Sequence, residues 1–186
     1  SVFTSAPYPS GDYNGDGITD LYLVGTTASY FCAGPGIVSA NNCVQTVTGD
    51  WASNYKIYPA DYNGDGITDL YLTGTTASYF CAGPGIAAAA NCVQTVAADW
   101  KTSVTLYPGD YNGDGVTDVI LASGNTAAYF CAGPGIATAN NCVLISTTNW
   151  YGAAGWAYPG DYNGDGITDI IRQSPTWAFG ATNIPL

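Results

Sequence analysis

The sequence predicts an all-β protein, a small β-propeller of four repeated units, and three observations lead there. The string DYNGDG(I/V)TD begins at Asp12, Asp61, Asp110 and Asp161, at intervals of 49, 49 and 51 residues. Between its copies lie short segments rich in Tyr, Val, Ile and Thr, interrupted by Gly and Pro before any reaches helical length. A sheet made from one such unit cannot bury both its faces, whereas several packed together can, either as a four-bladed ring, the favoured reading, or as an open solenoid of small sheets.

The units run approximately over 1–48, 49–97, 98–147 and 148–186, within a single domain spanning 1–186. In the second unit, Tyr55 to Tyr58, Asp69 to Leu72, Ala77 to Cys81 and Cys92 to Val96 suit strands of four to six residues. The Ala-rich stretch Ile86 to Ala90 is the one helix-like patch, and its counterparts Ile37 to Ala40 and Ile136 to Ala139 add nothing to a helical reading. The last unit is short. Eleven residues precede Asp12 and twenty-five follow Asp161, fewer together than the forty-eight separating successive motif starts. Trp177 to Leu186 parallels a third strand, with no fourth after it. Either an N-terminal strand containing Val2 and Phe3 completes the last blade, or an open edge remains, and open edges invite a second copy. A homodimer through the short fourth unit is the expected consequence of the latter.

Composition removes several function classes. The chain has 186 residues, 47% of them apolar, enough for one folded domain. With 3 basic and 14 acidic residues and a formal charge of -11, it lacks the basic surface a nucleic acid requires. Glu, His and Met are absent, which excludes imidazole-based zinc sites and His or Glu acid–base catalysis. No run of 18 apolar residues exists, so membrane insertion is not expected. Ser1 opens no basic-then-apolar leader, and the chain reads as mature protein. Six evenly placed Cys point to an oxidising compartment and hence to secretion.

Twelve of the fourteen Asp fall inside the four motif copies, so the acidity is a local device. In the first copy Asp12, Asn14, Asp16 and Asp20 place side-chain oxygens at positions 1, 3, 5 and 9, and Ile18 offers its carbonyl at position 7. The same set recurs at Asp61, Asn63, Asp65, Ile67 and Asp69, at Asp110, Asn112, Asp114, Val116 and Asp118, and at Asp161, Asn163, Asp165, Ile167 and Asp169. An all-oxygen shell of this kind suits calcium, which takes six to eight oxygens at about 2.3 to 2.6 Å, better than magnesium, which keeps its waters. Asn-Gly-Asp-Gly is also a strong turn signal. A turn explains the glycines but not three like charges in one loop, which repel each other unless a cation lies between them. Four calcium ions are the expected cofactors.

The motif resembles the calcium-binding repeat of the integrin alpha-chain propeller, shared with FG-GAP and VCBS-type repeats of secreted proteins and with fungal integrin-like propeller lectins. It differs from an EF-hand, which needs an acid at position 12, where this chain has Leu23, Leu72, Leu121 and Arg172. The resemblance implies ions seated in loops between strands, in a structural role. Propellers of that family usually have six or seven larger blades, and Cys pairs are not part of their motif.

The Cys occur as Cys32 with Cys43, Cys81 with Cys92 and Cys131 with Cys142, each pair eleven apart around a Gly-Pro-Gly tip. Six Cys allow fifteen pairings, of which the three local ones are the most economical. Two thiols per unit without His, and no C-x-x-C, argue against zinc and redox catalysis. Trp51, Trp100 and Trp150 recur at blade period behind Asp50, Asp99 and Asn149. They serve either as packing between sheets or as sugar platforms, an aromatic face stacking on a pyranose while the Asp or Asn accepts hydroxyl hydrogen bonds. A secreted glycan-binding protein is the leading functional expectation. A module that binds a cell-surface protein without sugar is the alternative. An enzyme is the least favoured, because only Asp50 and Asp99 lie outside the motifs and they occupy equivalent places in their units.

Overall fold

A computed structural model describes residues 9–37, 43–83, 85–87, 92–123, 127–133, 136, 142–147, 156–173 and 179–181. The chain forms two compact units, Ser1–Lys101 and Thr102–Leu186. The first holds two four-stranded antiparallel sheets: β1 (Ser10–Gly11), β2 (Asp20–Leu23), β3 (Ala28–Cys32) and β4 (Cys43–Thr48), then β5 (Tyr55–Ala60), β6 (Asp69–Gly74), β7 (Ser78–Cys81) and β8 (Cys92–Val96). The second holds β9 (Val104–Gly109), β10 (Asp118–Ser123), β11 (Ala127–Cys131) and β12 (Cys142–Ser146), then a three-stranded sheet of β13 (Trp156–Gly160), β14 (Asp169–Gln173) and β15 (Phe179–Ala181). Every sheet is a simple up-and-down meander, so the four repeats of the sequence are four sheets. Among the described residues the last has three strands. Val2 and Phe3, which would complete it, lie outside the described residues, as do Ala88 to Ala90, 38–40 and 137–139 of the Ala-rich stretches.

The strands form where the sequence places them because each sits between breakers. The motif loop ends at its last Asp, and the second strand of the unit starts on that residue: Asp20, Asp69, Asp118 and Asp169 open β2, β6, β10 and β14. β6 and β10 are the most covered strands. β6 is buried at every position, consistent with its apolar run Leu70, Tyr71 and Leu72. The fourth strands face water, leaving Val44, Val93 and Val143 more than half exposed.

Two features depart from the sequence expectation. The segments at Trp51 and Trp100, read as non-helical, each form one helical turn: α1 (Trp51–Asn54) and α2 (Trp100–Ser103). In α1 the Asp50 side chain caps the turn by accepting from the Ser53 N–H at 2.8 Å, satisfying a donor that would otherwise be orphaned. The Ala-rich patch, by contrast, contributes only a 3-10 turn at Gly85–Ala87 among its described residues.

A β-bulge recurs in the third strands, between Ser29 and Tyr30, Ser78 and Tyr79, and Ala128 and Tyr129. Opposite it the fourth strand carries one extra residue: Thr46, Thr95 or Ile145. In the first two sheets the extra Thr hydroxyl meets a buried Tyr hydroxyl, Tyr22 with Thr46 at 2.6 Å and Tyr71 with Thr95 at 2.8 Å. In the third sheet the equivalent positions are Ile120 and Ile145, both packed in one apolar cluster. A polar pair has been exchanged for an apolar pair as a unit, which avoids leaving a buried hydroxyl without a partner.

The core of the first unit gathers Tyr13, Tyr22 and Val47 with Leu70, Leu72, Cys81 and Ile86 around Trp51. The core of the second gathers Tyr111, Ile120, Ala122, Ala128 and Phe130 with Ile170. All three expected disulfides, Cys32–Cys43, Cys81–Cys92 and Cys131–Cys142, join directly opposed residues of neighbouring strands. Each closes a short loop, and loop-closure entropy assigns such a bridge about 3 kcal/mol. Replacing Cys81 and Cys92 together by Ser is expected to lower the unfolding free energy by about that amount, measured by chemical denaturation against the parent chain.

Candidate metal loops and aromatic stations

Each motif folds into a tight loop whose carboxylates are turned inward onto its own backbone. In the first, Asp12 Oδ1 accepts from Gly15 N at 2.7 Å and Asp16 N at 3.1 Å, and Asp12 Oδ2 accepts from Gly17 N at 2.8 Å. Asn14 Oδ1 accepts from Asp16 N, and Asp16 Oδ1 accepts from Ile18 N. The second loop repeats this with Asp61, Asn63 and Asp65, and the fourth with Asp161, Asn163 and Asp165. The third lacks one of these bonds among those observed and adds one from Asn112 Nδ2 to Asp118 Oδ1. The chain reverses so sharply that Gly15 and Gly17 adopt φ of 78° and 81°, a region where a side chain costs about 1 to 2 kcal/mol.

The last Asp of the motif plays a different part. Asp20, Asp69 and Asp118 are buried, and each holds two distant backbone donors. Asp69 Oδ2 accepts from Tyr62 N and Oδ1 from Gly83 N, both at 2.9 Å. Asp20 does the same with Tyr13 and Gly34, and Asp118 with Tyr111 and Gly133. The carboxylate thus ties the start of the loop to the turn after the third strand. Tyr at motif position 2 adds a pin: the hydroxyls of Tyr62, Tyr111 and Tyr162 donate to the carbonyls of Tyr58, Tyr107 and Tyr158. That gives the Tyr before the second, third and fourth motifs a purpose that sequence reading did not assign.

Burial is the main influence on the ninth-position carboxyls of the second and third loops. Burial raises the Asp69 carboxyl from 3.8 to about 6 against the pull of the Gly83 and Tyr62 N–H groups, with the nearby Asp65 and Asp61 charges adding to the rise. Asp118 is raised as well, burial first, with Asp114 contributing. Exposed Asp161 is lowered by the N–H groups of Gly166 and Gly164.

Whether the donor set suits a hard cation can be judged from its chemistry. Every side chain of positions 1, 3, 5 and 9 carries an oxygen acceptor, and each carboxylate oxygen that accepts one N–H retains a further lone pair. Among the described residues no group of three His, Cys, Asp or Glu side chains forms a ready-made metal cluster. The set fits calcium by donor type and by its uncompensated negative charge.

The aromatic stations differ among themselves. Trp51 is buried, stacked on Tyr22 at a ring distance of 6.0 Å and edge-on to Tyr55 at 6.1 Å, and Asp50 is the cap of its helical turn. Trp100 is half-buried beside half-buried Asp99 and lies 6.3 Å from the Tyr71 ring. Asn149 and Trp150 lie outside the described residues. The structure therefore brings Trp51 and Asp50 into the packing, while Trp100 keeps some ring surface open. Lys101 adds a bond from its ammonium to the Ser53 carbonyl at the end of α1.

The FG-GAP-like repeat family matches residues 12–72 and 110–171, more than half of the chain, and the matched stretches contain all four loops. The chain belongs to the FG-GAP-like repeat family. No curated protein matches it. Among solved structures the chain is similar to an Agrocybe aegerita lectin that specifically recognises non-reducing terminal N-acetylglucosamine, at 17% identity and a TM-score of 0.67, over 92% of this chain and 48% of the lectin. This FG-GAP-like chain therefore spans about half the length of that lectin, and the likeness is one of fold. The biofilm matrix protein Bap1 of V. cholerae aligns with 96% of this chain and 30% of its own, at 20% identity and a TM-score of 0.46. No helix among the described residues is long and apolar enough to cross a membrane.

Two outcomes follow from the loop geometry. Gly66 has φ of 81° and open space where a Cβ would stand, so Gly66→Ala should cost about 1 to 2 kcal/mol through backbone strain alone, measured by thermal or urea unfolding. Because folded Asp69 holds its proton up to about pH 6 rather than 3.8, the folded state binds more protons than the unfolded one across that window. In chelator, stability should fall as pH rises through it, read from urea midpoints at successive pH values.

Proposed function

We propose that this chain is an extracellular calcium-binding repeat protein that binds glycans. Four loops would hold the ions through Asp12, Asn14, Asp16, Ile18 carbonyl and Asp20, and through their counterparts at 61–69, 110–118 and 161–169. Bound calcium supplies positive charge where each loop crowds three carboxylates, and at a free concentration of about 100 times Kd a site adds about 2.7 kcal/mol to folding stability. The residues do the rest: the Gly-rich backbone holds the oxygens, and the ninth-position Asp, buried in the first three loops, fixes the loop to the sheet. Three disulfides support an extracellular setting.

The observation that carries the glycan reading is Trp100, half-buried next to Asp99, on a fold shared with a lectin. A half-buried indole has one element of sugar recognition, a flat apolar face for a pyranose ring. Burial of Trp51 in the core favours a second reading, in which the repeats form a calcium-held scaffold for a cell-surface protein. Tyr158 and Tyr162, 46% and 54% exposed on the fourth repeat, provide apolar surface for such a partner or for a second copy.

A glycan array in calcium separates the readings. The glycan reading predicts binding that falls at least tenfold in the folded Trp100→Ala variant, the order of loss expected on removing a stacking platform, and that disappears in EDTA. A blank array across diverse polysaccharides would reject it in favour of the protein-binding scaffold.

A further inference from the structure

The four loops are not separate. The residue at motif position 8 of one loop donates its backbone N–H to the carbonyl of the first Asp of the preceding loop: Thr68 to Asp12 at 2.7 Å, and Thr168 to Asp110 at 2.6 Å. These residues sit between two candidate ligands of their own loop, Ile67 and Asp69 in one case, Ile167 and Asp169 in the other. Each bond therefore joins positions 7 to 9 of a later loop to position 1 of an earlier one.

The approach is closed by glycine. A Cβ at Gly11 would stand 2.6 Å from Thr68 Cγ2 and Oγ1, and a Cβ at Gly109 would stand 2.6 Å from Thr168 Cγ2. Gly15 and Gly113 accept Ile67 and Ile167 in the same way, at 2.8 and 3.1 Å. The arrangement thus occurs twice, once within each compact unit, with the same residue types at the same places. The equivalent position before the second motif is Ala60, so glycine here is not a general requirement of the motif.

We propose that Thr68 and Thr168 are positioning residues for the loop one repeat earlier, so that loops 12–20 and 61–69 take up cations as a coupled pair, and loops 110–118 and 161–169 as another. The inference rests on the calcium reading above. Ordering Ile67 and Asp69 around an ion fixes Thr68 between them. Fixed Thr68 holds the Asp12 carbonyl, and with it the start of the first loop, in its liganding position. By linkage the effect is reciprocal.

The test is a calcium titration of the full chain followed by NMR, using the amide signals of Gly17, Gly66, Gly115 and Gly166 as one reporter per loop. In the unmodified chain, Gly17 and Gly66 should shift together with a Hill coefficient above 1, as should Gly115 and Gly166. Asp61→Asn combined with Asp65→Asn disables the second loop directly. It should raise the calcium midpoint of Gly17 about tenfold, within the usual span of coupling between sites, and leave Gly115 and Gly166 unmoved. Gly11→Ala, which adds the methyl that residue 60 already has, should uncouple Gly17 from Gly66 while all four ions still bind. Four ions bound with Hill coefficients of 1 and a Gly17 midpoint unchanged in the double variant would overturn the coupling alone. An unmodified chain that binds no calcium would overturn the calcium reading, and the coupling with it. The Hill coefficient is read on the unmodified chain, so the test stands even if Gly11→Ala does not fold.

Discussion

The structure turns on keeping three carboxylates within nine residues, four times over, in a chain with 3 basic residues. Like charges at that spacing repel, and burial of one of them makes its ionised form costlier still. The backbone answers part of the problem. Each loop folds so that its own N–H groups point at the first, third and fifth side chains, and in the first three loops the ninth is held by two further backbone donors. These are charge-assisted bonds, stronger than neutral ones, but they neutralise nothing. Burial, with the nearby Asp65 and Asp61 charges adding to it, raises the Asp69 carboxyl, and a bound divalent cation is the group that would offset both. With four such ions the formal charge would move from -11 to about -3, each calcium contributing two positive charges.

That constraint also explains how little else the sheets require. Strands of four to six residues and one-turn helices are weak on their own. In this chain each sheet is bounded on one side by an acidic loop and, in three cases, on the other by a disulfide between its third and fourth strands. Packing then fills the space between neighbours within each unit, with Trp51 against Tyr22 and Tyr55, and Ile170 against Tyr111 and Ile120. The fourth repeat, with three strands among the described residues, leaves its loop Tyr162 exposed where Tyr13, Tyr62 and Tyr111 are buried.

Much of this was legible in the sequence because it is local. The motif spacing located the loops, the strands began where the motif ended, and the eleven-residue Cys intervals predicted the bridges. What escaped was of two kinds. The helical turns at Trp51 and Trp100 are too short for any periodic signal, and the Asp50 cap that defines the first looked like a sugar ligand. Interactions between repeats left no mark in any single window: Thr68 and Asp12 are 56 residues apart, and the exchange of Tyr with Thr for Ile with Ile becomes visible only once the register pairs second, third and fourth strands. Gly11 and Gly109 were signals in plain view, glycines outside the loop proper whose reason is a neighbour's side chain.

The central claim is that these loops are cation sites on which the fold leans. Native mass spectrometry alongside thermal unfolding, in millimolar calcium and then in chelator, examines it most directly. The account predicts four ions on the folded chain and a Tm that drops by many degrees when they are withdrawn. A chain that carries no ions in calcium, and melts at the same temperature in both solutions, would contradict it.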